Sequence, residues 1–80
     1  MNHATRIRFP CKWLDDEGLL NRGLSDFRLG EGPCGKEVVM LTYGRFDGGF
    51  FVRQLTACNE TKEFFYKWED ITGRVEVTHG

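Results

Sequence analysis

The pattern of apolar and polar positions is clearest in the middle of the chain. EVVMLTY (37–43) and FFVRQLTA (50–57) are rich in β-branched and aromatic residues, and the segment between them, GRFDGG, is dense in glycine and contains Asp47 followed by Gly48. This predicts two antiparallel strands joined as a hairpin. On the first strand Val39, Leu41 and Tyr43 share one face while Val38, Met40 and Thr42 share the other, so the strand is expected to be central and covered on both sides. Upstream, RIRF (6–9) alternates charge with Ile7 and Phe9, which suits a short strand with one buried face that ends, or becomes an edge, at Pro10.

KEFFYKWEDI (62–71) fits two periods. As a helix it places Phe64, Trp68 and Ile71 at i, i+4 and i+7, with Asn59 as N-cap and Gly73 as C-terminal glycine. As a strand it aligns Phe64, Tyr66 and Trp68 with Val75 and Val77 of the following RVEVT if Thr72 and Gly73 form the turn, leaving Lys67, Glu69, Arg74 and Glu76 on the other face. The strand is favoured, although this register opposes Glu69 to Glu76 and puts Asp70 on the apolar face, which calls for a longer turn starting near Asp70. Between positions 13 and 33, four glycines interrupt every apolar run, so an ordered loop wrapping the sheet is expected, with at most a helical turn near 16–21.

These elements sum to a mainly β fold, a small curved antiparallel sheet or partial barrel of about five strands. The alternative is α+β, with one helix near 60–71 packed on an antiparallel sheet. Eighty residues make one small domain spanning 1–80. A chain this short buries only about 60% of its unfolded surface, so a homodimer or a bound partner is a ready source of added stability.

Eleven basic and twelve acidic residues leave a net charge of −1, which argues against a duplex-DNA binder that relies on a dominating positive field and against an acidic DNA mimic. Arg6, Arg8 and Lys12 cluster early and Arg22 and Arg28 further on, read here as a solvated strand face. The chain has no apolar run of membrane-spanning length, and MNHATRIRFP lacks the apolar centre of a signal peptide, so a cytoplasmic protein without membrane attachment is expected. Cys11, Cys34 and Cys58 are odd in number and widely spaced, which fits reduced thiols better than disulfides or metal knuckles.

Catalytic groups do not assemble in the sequence. Both histidines, His3 and His79, lie near the chain ends, away from any evident nucleophile. Asp15, Asp16 and Glu17 beside Gly18 read as a helix start or solvated turn. LGEGPCGK (29–36) lacks the phosphate-loop spacing and leads into a strand, so it reads as a turn; GRFDGGFF holds too few carboxylates for a calcium loop. No catalytic residue, metal or cofactor is expected.

Aromatic residues are the remaining signal: seven Phe, two Tyr and two Trp exceed what so small a core hides comfortably, and Trp13, Phe46, Phe50 or a ring between 64 and 68 is expected at the surface. Exposed rings anchor protein interfaces or stack single-stranded bases, with Arg45 and Arg53 then tracking phosphates. Near-neutral charge favours a protein partner over nucleic acid. The expected contacts are Arg45, Phe46, Tyr66 and Trp68.

At GKEVVMLTYGRFDGGFFV and FYKWEDITGRVEVTHG the chain resembles short uncharacterised proteins encoded by phages and prophages. Their pattern runs from a Pro/Gly turn through Gly-Lys-x-Val-x-Val, a glycine hairpin and an aromatic strand to a closing Val-Thr-His-Trp. Gly35, Lys36, Val38, Gly48, Gly49, Trp68, Val77, Thr78 and His79 carry the likeness; Gly80 stands at the tryptophan position, the proline-rich ending is missing, and the N-terminal 30 residues have no counterpart in that pattern. The resemblance implies an accessory protein that binds and blocks or redirects a host protein, in the manner of anti-restriction or anti-CRISPR proteins, and it brings no catalytic residues.

Overall fold

The structure, a computed structural model, describes residues 2–31 and 37–80. Cys34, Gly35, Lys36 and most of the turn expected over 29–36 lie outside them. In chain order the described strands are β1 (Asn2–His3), β2 (Arg6–Leu14), β3 (Leu20–Arg28), β4 (Gly30–Glu31), β5 (Glu37–Phe46), β6 (Gly49–Thr56), β7 (Thr61–Lys67) and β8 (Glu76–Thr78). The larger sheet runs β1-β5-β6-β7, with β4 also on β5, and the smaller runs β3-β2-β8. All described pairings are antiparallel. The fold is mainly β, as expected, but the strands form two packed sheets and not a closed barrel.

The central hairpin forms where the pattern placed it, with Phe46 opposite Gly49 around Asp47 and Gly48. A bulge between Val38 and Met40 corrects the expected facing of β5, because it turns Val38 to the side of Leu41 and Tyr43 and leaves Val39 and Met40 exposed. Residues 61–67 are strand, and the helical alternative survives only as a 3₁₀ turn over Trp68–Asp70.

Two expectations are overturned. RVEVT does not fold back on β7; β8 instead pairs with β2, setting Glu76 opposite Arg8 and Val77 opposite Ile7. That exchange replaces the Glu69 and Glu76 repulsion of the simple hairpin with an opposite-charge pair. The supposed loop at 13–33 is largely a second long hairpin, β2 with β3, which continues through Pro10. Proline fits there because its carbonyl faces the Thr72 amide (2.9 Å), on the side of β2 away from β3, so β3 loses no amide partner.

The turn of this hairpin rests on Asp15. Its Oδ1 accepts the amides of Leu19 and Glu17 at 2.9 and 3.0 Å, its Oδ2 accepts the Asn21 amide at 3.1 Å, and these bonds hold the carboxyl below its ordinary pKa. Gly18 supplies the left-handed φ of +77°.

Between the sheets lie Ile7, Phe9, Cys11 and Phe27 from one side and Leu41, Tyr43, Phe50 and Val52 from the other. Phe9 is the hub: Phe50 and Tyr66 meet it edge-on at 5.7 and 4.8 Å, and Phe27 at 6.3 Å. Each fully buried side chain of this size contributes about 1.5–3 kcal/mol. At Thr5 and Leu29 the paired chains cross from one sheet to the other, tied by the Leu29 amide to Thr5 O at 3.0 Å, with Gly30 at φ +93° taking the bend.

Candidate functional site

With one face of the larger sheet spent on the core, the register determines what the other presents. Its rows are Met40 with Leu55 and Thr61, Thr42 with Arg53 and Glu63, Gly44 with Phe51 and Phe65, and Phe46 with Gly49 and Lys67. Three phenylalanines from three neighbouring strands therefore share one solvent face. Phe46 and Phe65 are 54% and 55% exposed, and among the described residues neither ring packs against another aromatic.

Glycines let these rings lie low on the sheet. A Cβ at Gly44 would sit 3.0 Å from Phe46 Cε2, and one at Gly49 would sit 2.8 Å from Phe65 Cζ. The charge on this face is largely self-compensated, since Arg53 lies 3.7 Å from Glu63 and its guanidinium sits 5.5 Å from the Phe51 ring centre. The result is an exposed apolar surface beside a solvent-facing ion pair.

The four expected contact residues meet around one end of the sandwich, but not on one face. Phe46 is on the outer face. Arg45 lies 5.6 Å from the centre of the Phe50 ring, and Trp68 lies 6.1 Å from the same ring while its Nε1 donates to Phe46 O at 2.6 Å. Tyr66 points inward and is half-buried against Phe9 and Phe27. Phe50, offered among the candidate exposed rings, is fully buried. Phe51 and Phe65, absent from the expected set, also lie on the outer face, and Phe65 shares its parity with Glu63 and Lys67, which marks a water-facing side.

The smaller sheet turns another surface outward. Arg6, Arg8, Lys12, Arg22 and Arg28 fall on one face of β2 and β3, so the two basic clusters are indeed a single strand face. Asp26 joins two of them, 2.8 Å from Arg6 and 3.0 Å from Arg28. The Arg6 bond, with the Arg28 bond and the charges of both, pulls the Asp26 carboxyl down to about 2 against the opposing effect of partial burial.

The histidines meet although they come from opposite ends of the sequence: His79 Nδ1 is 3.1 Å from His3 O, and its Nε2 is 3.4 Å from Tyr43 Oη. The described cysteines are elsewhere, Cys11 Sγ beside Ser25 Oγ and Cys58 Sγ beside Thr56 Oγ1, both at 3.2 Å. Among the described residues no three His, Cys, Asp or Glu side chains gather as a metal site, and no helix is long and apolar enough to cross a membrane.

Fold and surface together define a small two-sheet β protein with an aromatic outer face. The chain belongs to the family of the Enterobacteria phage T3 gene 1.05 protein, whose pattern it matches over residues 3–79. A protein of Enterobacteria phage T3 described as the uncharacterized gene 1.05 protein is 35% identical over 79 residues, covering 99% of this chain and 84% of that one. No solved structure matches.

Proposed function

We propose that this phage-family protein acts without catalysis, by binding a host protein through the outer face of its larger sheet. The carrying observation is the group of Phe46, Phe51 and Phe65 on one face of three adjacent strands, with two rings more than half exposed. Burying aromatic area costs little side-chain entropy and forms the centre of many protein interfaces. A blocking or redirecting role, as in anti-restriction and anti-CRISPR proteins, is the action that fits such a module.

Single-stranded nucleic acid is the second reading, favoured by the free ring faces on an open sheet. Its weakness is electrostatic. Arg53 is engaged by Glu63, Lys67 stands apart at one end of the face, and the cations Arg6, Arg8, Lys12, Arg22 and Arg28 lie on the outer face of the other sheet, so the aromatic face lacks a continuous basic track for the backbone.

A photo-crosslinking amino acid at position 65, used in a nuclease-treated lysate of the host bacterium, tests the proposal against the same probe at position 22 on the other sheet. A discrete protein adduct from 65 alone is expected. Adducts that vanish with nuclease, or form equally from both positions, would overturn it.

A further inference from the structure

The larger sheet ends in a strand with one side unused: among the described residues β7 pairs with β6 alone. The Thr56 amide donates to Glu60 O at 2.9 Å, which makes these two a bonded pair. Alternation along the antiparallel ladder then makes Gln54 with Lys62, Val52 with Phe64 and Phe50 with Tyr66 bonded as well. The amides and carbonyls of Thr61, Glu63, Phe65 and Lys67 therefore point away from β6, along an edge where all these residues are exposed. Phe64 and Tyr66, which alternate with them on the inner face, are only half-buried against the core. Beyond the edge a cleft of about 460 Å³ separates Phe65 and Tyr66 from Leu24 and Ser25 of β3, so the smaller sheet leaves the approach open.

We infer that β7 pairs with β7 of a second copy, antiparallel about a two-fold axis through Phe65, joining the two larger sheets into one. Residues opposite each other in an antiparallel pair share a face and a bonding side, so self-pairing must be centred on a single residue. Centred on Glu63, it opposes two carboxylates; centred on Phe64, it sets Glu63 against Phe65 and Lys67 against Thr61; centred on Tyr66, it brings Glu63 to Glu69. Centred on Phe65, it sets Glu63 against Lys67 of the other copy, and Lys67 against Glu63, at symmetric positions. The outward amides and carbonyls of Glu63, Phe65 and Lys67 then bond across the axis. On the inner face each Phe64 lies against a Tyr66, covering rings that one copy leaves half in water. Charges on an edge ordinarily ward off pairing, but opposite signs placed symmetrically about Phe65 favour a strand of the same charge order, which this chain itself supplies. Both charges are available: Arg53 stands 3.7 Å from Glu63 with each side chain near half exposed, and Lys67 has no ion pair among the described residues. The pairing goes beyond the host-protein reading and keeps its surface, setting the two Phe65 rings side by side on the outer face. A seven-residue strand pair is small beside the roughly 800 Å² per partner of a standard interface, so the association is reversible.

Sedimentation equilibrium of the purified full chain from micromolar to submillimolar concentration tests this. No host protein is present, so the outcome is independent of the host-protein reading. A reversible dimer is expected. Glu63→Lys and Lys67→Glu each place like charges opposite each other and are each expected to weaken it about tenfold, and the double reversal is expected to restore it. Phe46→Ala, on the same face but away from the edge, is expected to leave it unchanged. Because Lys67 carries no ion pair within one copy, Lys67→Glu reads the pairing even where Glu63→Lys lowers the thermal melt. A monomer at every concentration overturns the inference. So does a dimer that ignores Lys67→Glu, one that the double reversal fails to restore, or one that Phe46→Ala abolishes, which would assign self-association to the aromatic face.

Discussion

The indole Nε1 of Trp68 donates to the main-chain oxygen of Phe46 at 2.6 Å, tying the 3₁₀ turn after β7 to the tip of the β5 and β6 hairpin. The ring also lies 6.1 Å from Phe50, so Trp68 closes one end of the core from a partly exposed position. Trp68→Phe keeps most of the packing and loses the bond, for an expected cost of about 1 kcal/mol. Trp68→Ala loses both and should cost roughly 2–3 kcal/mol, short of a fully buried tryptophan. Circular-dichroism melts of wild type and the two variants check the order; a Trp68→Phe melt equal to wild type would mean that the bond contributes nothing, and equal melts of the two variants that the ring packing contributes nothing.

Gln54 is 1% exposed on the inner face, opposite Leu41 and Lys62, and its Oε1 has no hydrogen-bond partner among the described residues. A buried orphan acceptor carries its full desolvation cost. Gln54→Met keeps the length and removes the oxygen, and is expected to stabilise the fold by about 1 kcal/mol. The readout is a higher urea midpoint at unchanged m-value; a lower midpoint would show that the amide is satisfied in solution.

Asp26 sets part of the acid limit of the fold. Its bond to Arg6, with the Arg28 bond and both charges, lowers the folded carboxyl to about 2, while the unfolded value is ordinary, near about 4. A depressed folded pKa gives stability that is present above the unfolded value and is lost as pH falls through the folded one. The loss should therefore span about pH 4 to 2. The thermal advantage of wild type over Asp26→Asn is expected to shrink across that window and, because both arginine partners reach solvent, with added salt at neutral pH. A constant gap down to pH 2 would contradict the assignment.

Much of this architecture was legible, and the failures share a cause. β6, β7 and β5 beyond its bulge alternate in period two, so the strands and the hairpin were readable there even though apolar residues occupy both faces. In β3 the pattern is inverted: Asn21, Gly23 and Ser25 face inward while Leu20 and Leu24 face water. Gly23 is small because Trp13 lies across it, 2.9 Å from where a Cβ would sit. A reading that assigns leucine to the interior therefore has no strand to find there. The partner of β8 was equally out of reach, because Glu76 finds Arg8 from 68 positions away in sequence. Of the expected contacts, Phe46 was readable as a ring on a hairpin tip, whereas Tyr66 turns inward because its parity is that of Phe64.

The glycine that the central hairpin needs is Gly49, not the turn glycine Gly48. A Cβ at Gly49 would run into the main-chain oxygen of Tyr66 on β7, whereas at Gly48 it meets only Phe65 Cζ at 4.0 Å. Gly48 also has no left-handed φ to preserve. Gly49→Ala is expected to cost about 2 kcal/mol or more and Gly48→Ala less than about 0.5 kcal/mol. Denaturant titration of both compares them directly, and equal costs would refute the close approach.

The aromatic face makes the last prediction, because stability and binding should separate there. Phe9 is the buried hub, so Phe9→Ala should cost about 3–5 kcal/mol and unfold much of the population of so small a domain. Phe65 and Phe46 sit on glycines with more than half their surface in water, so truncating either removes little folded-state contact. Phe65→Ala and Phe46→Ala are expected to shift stability by less than about 1 kcal/mol. If these rings anchor a host protein, the same changes should weaken its capture at least about tenfold, as loss of an interface hot spot does. The decisive comparison measures thermal melts and host-protein binding on the same two proteins. Native melts with lost binding identify a recognition surface; melts lowered as far as that of Phe9→Ala would make these rings structural and end the case for this face.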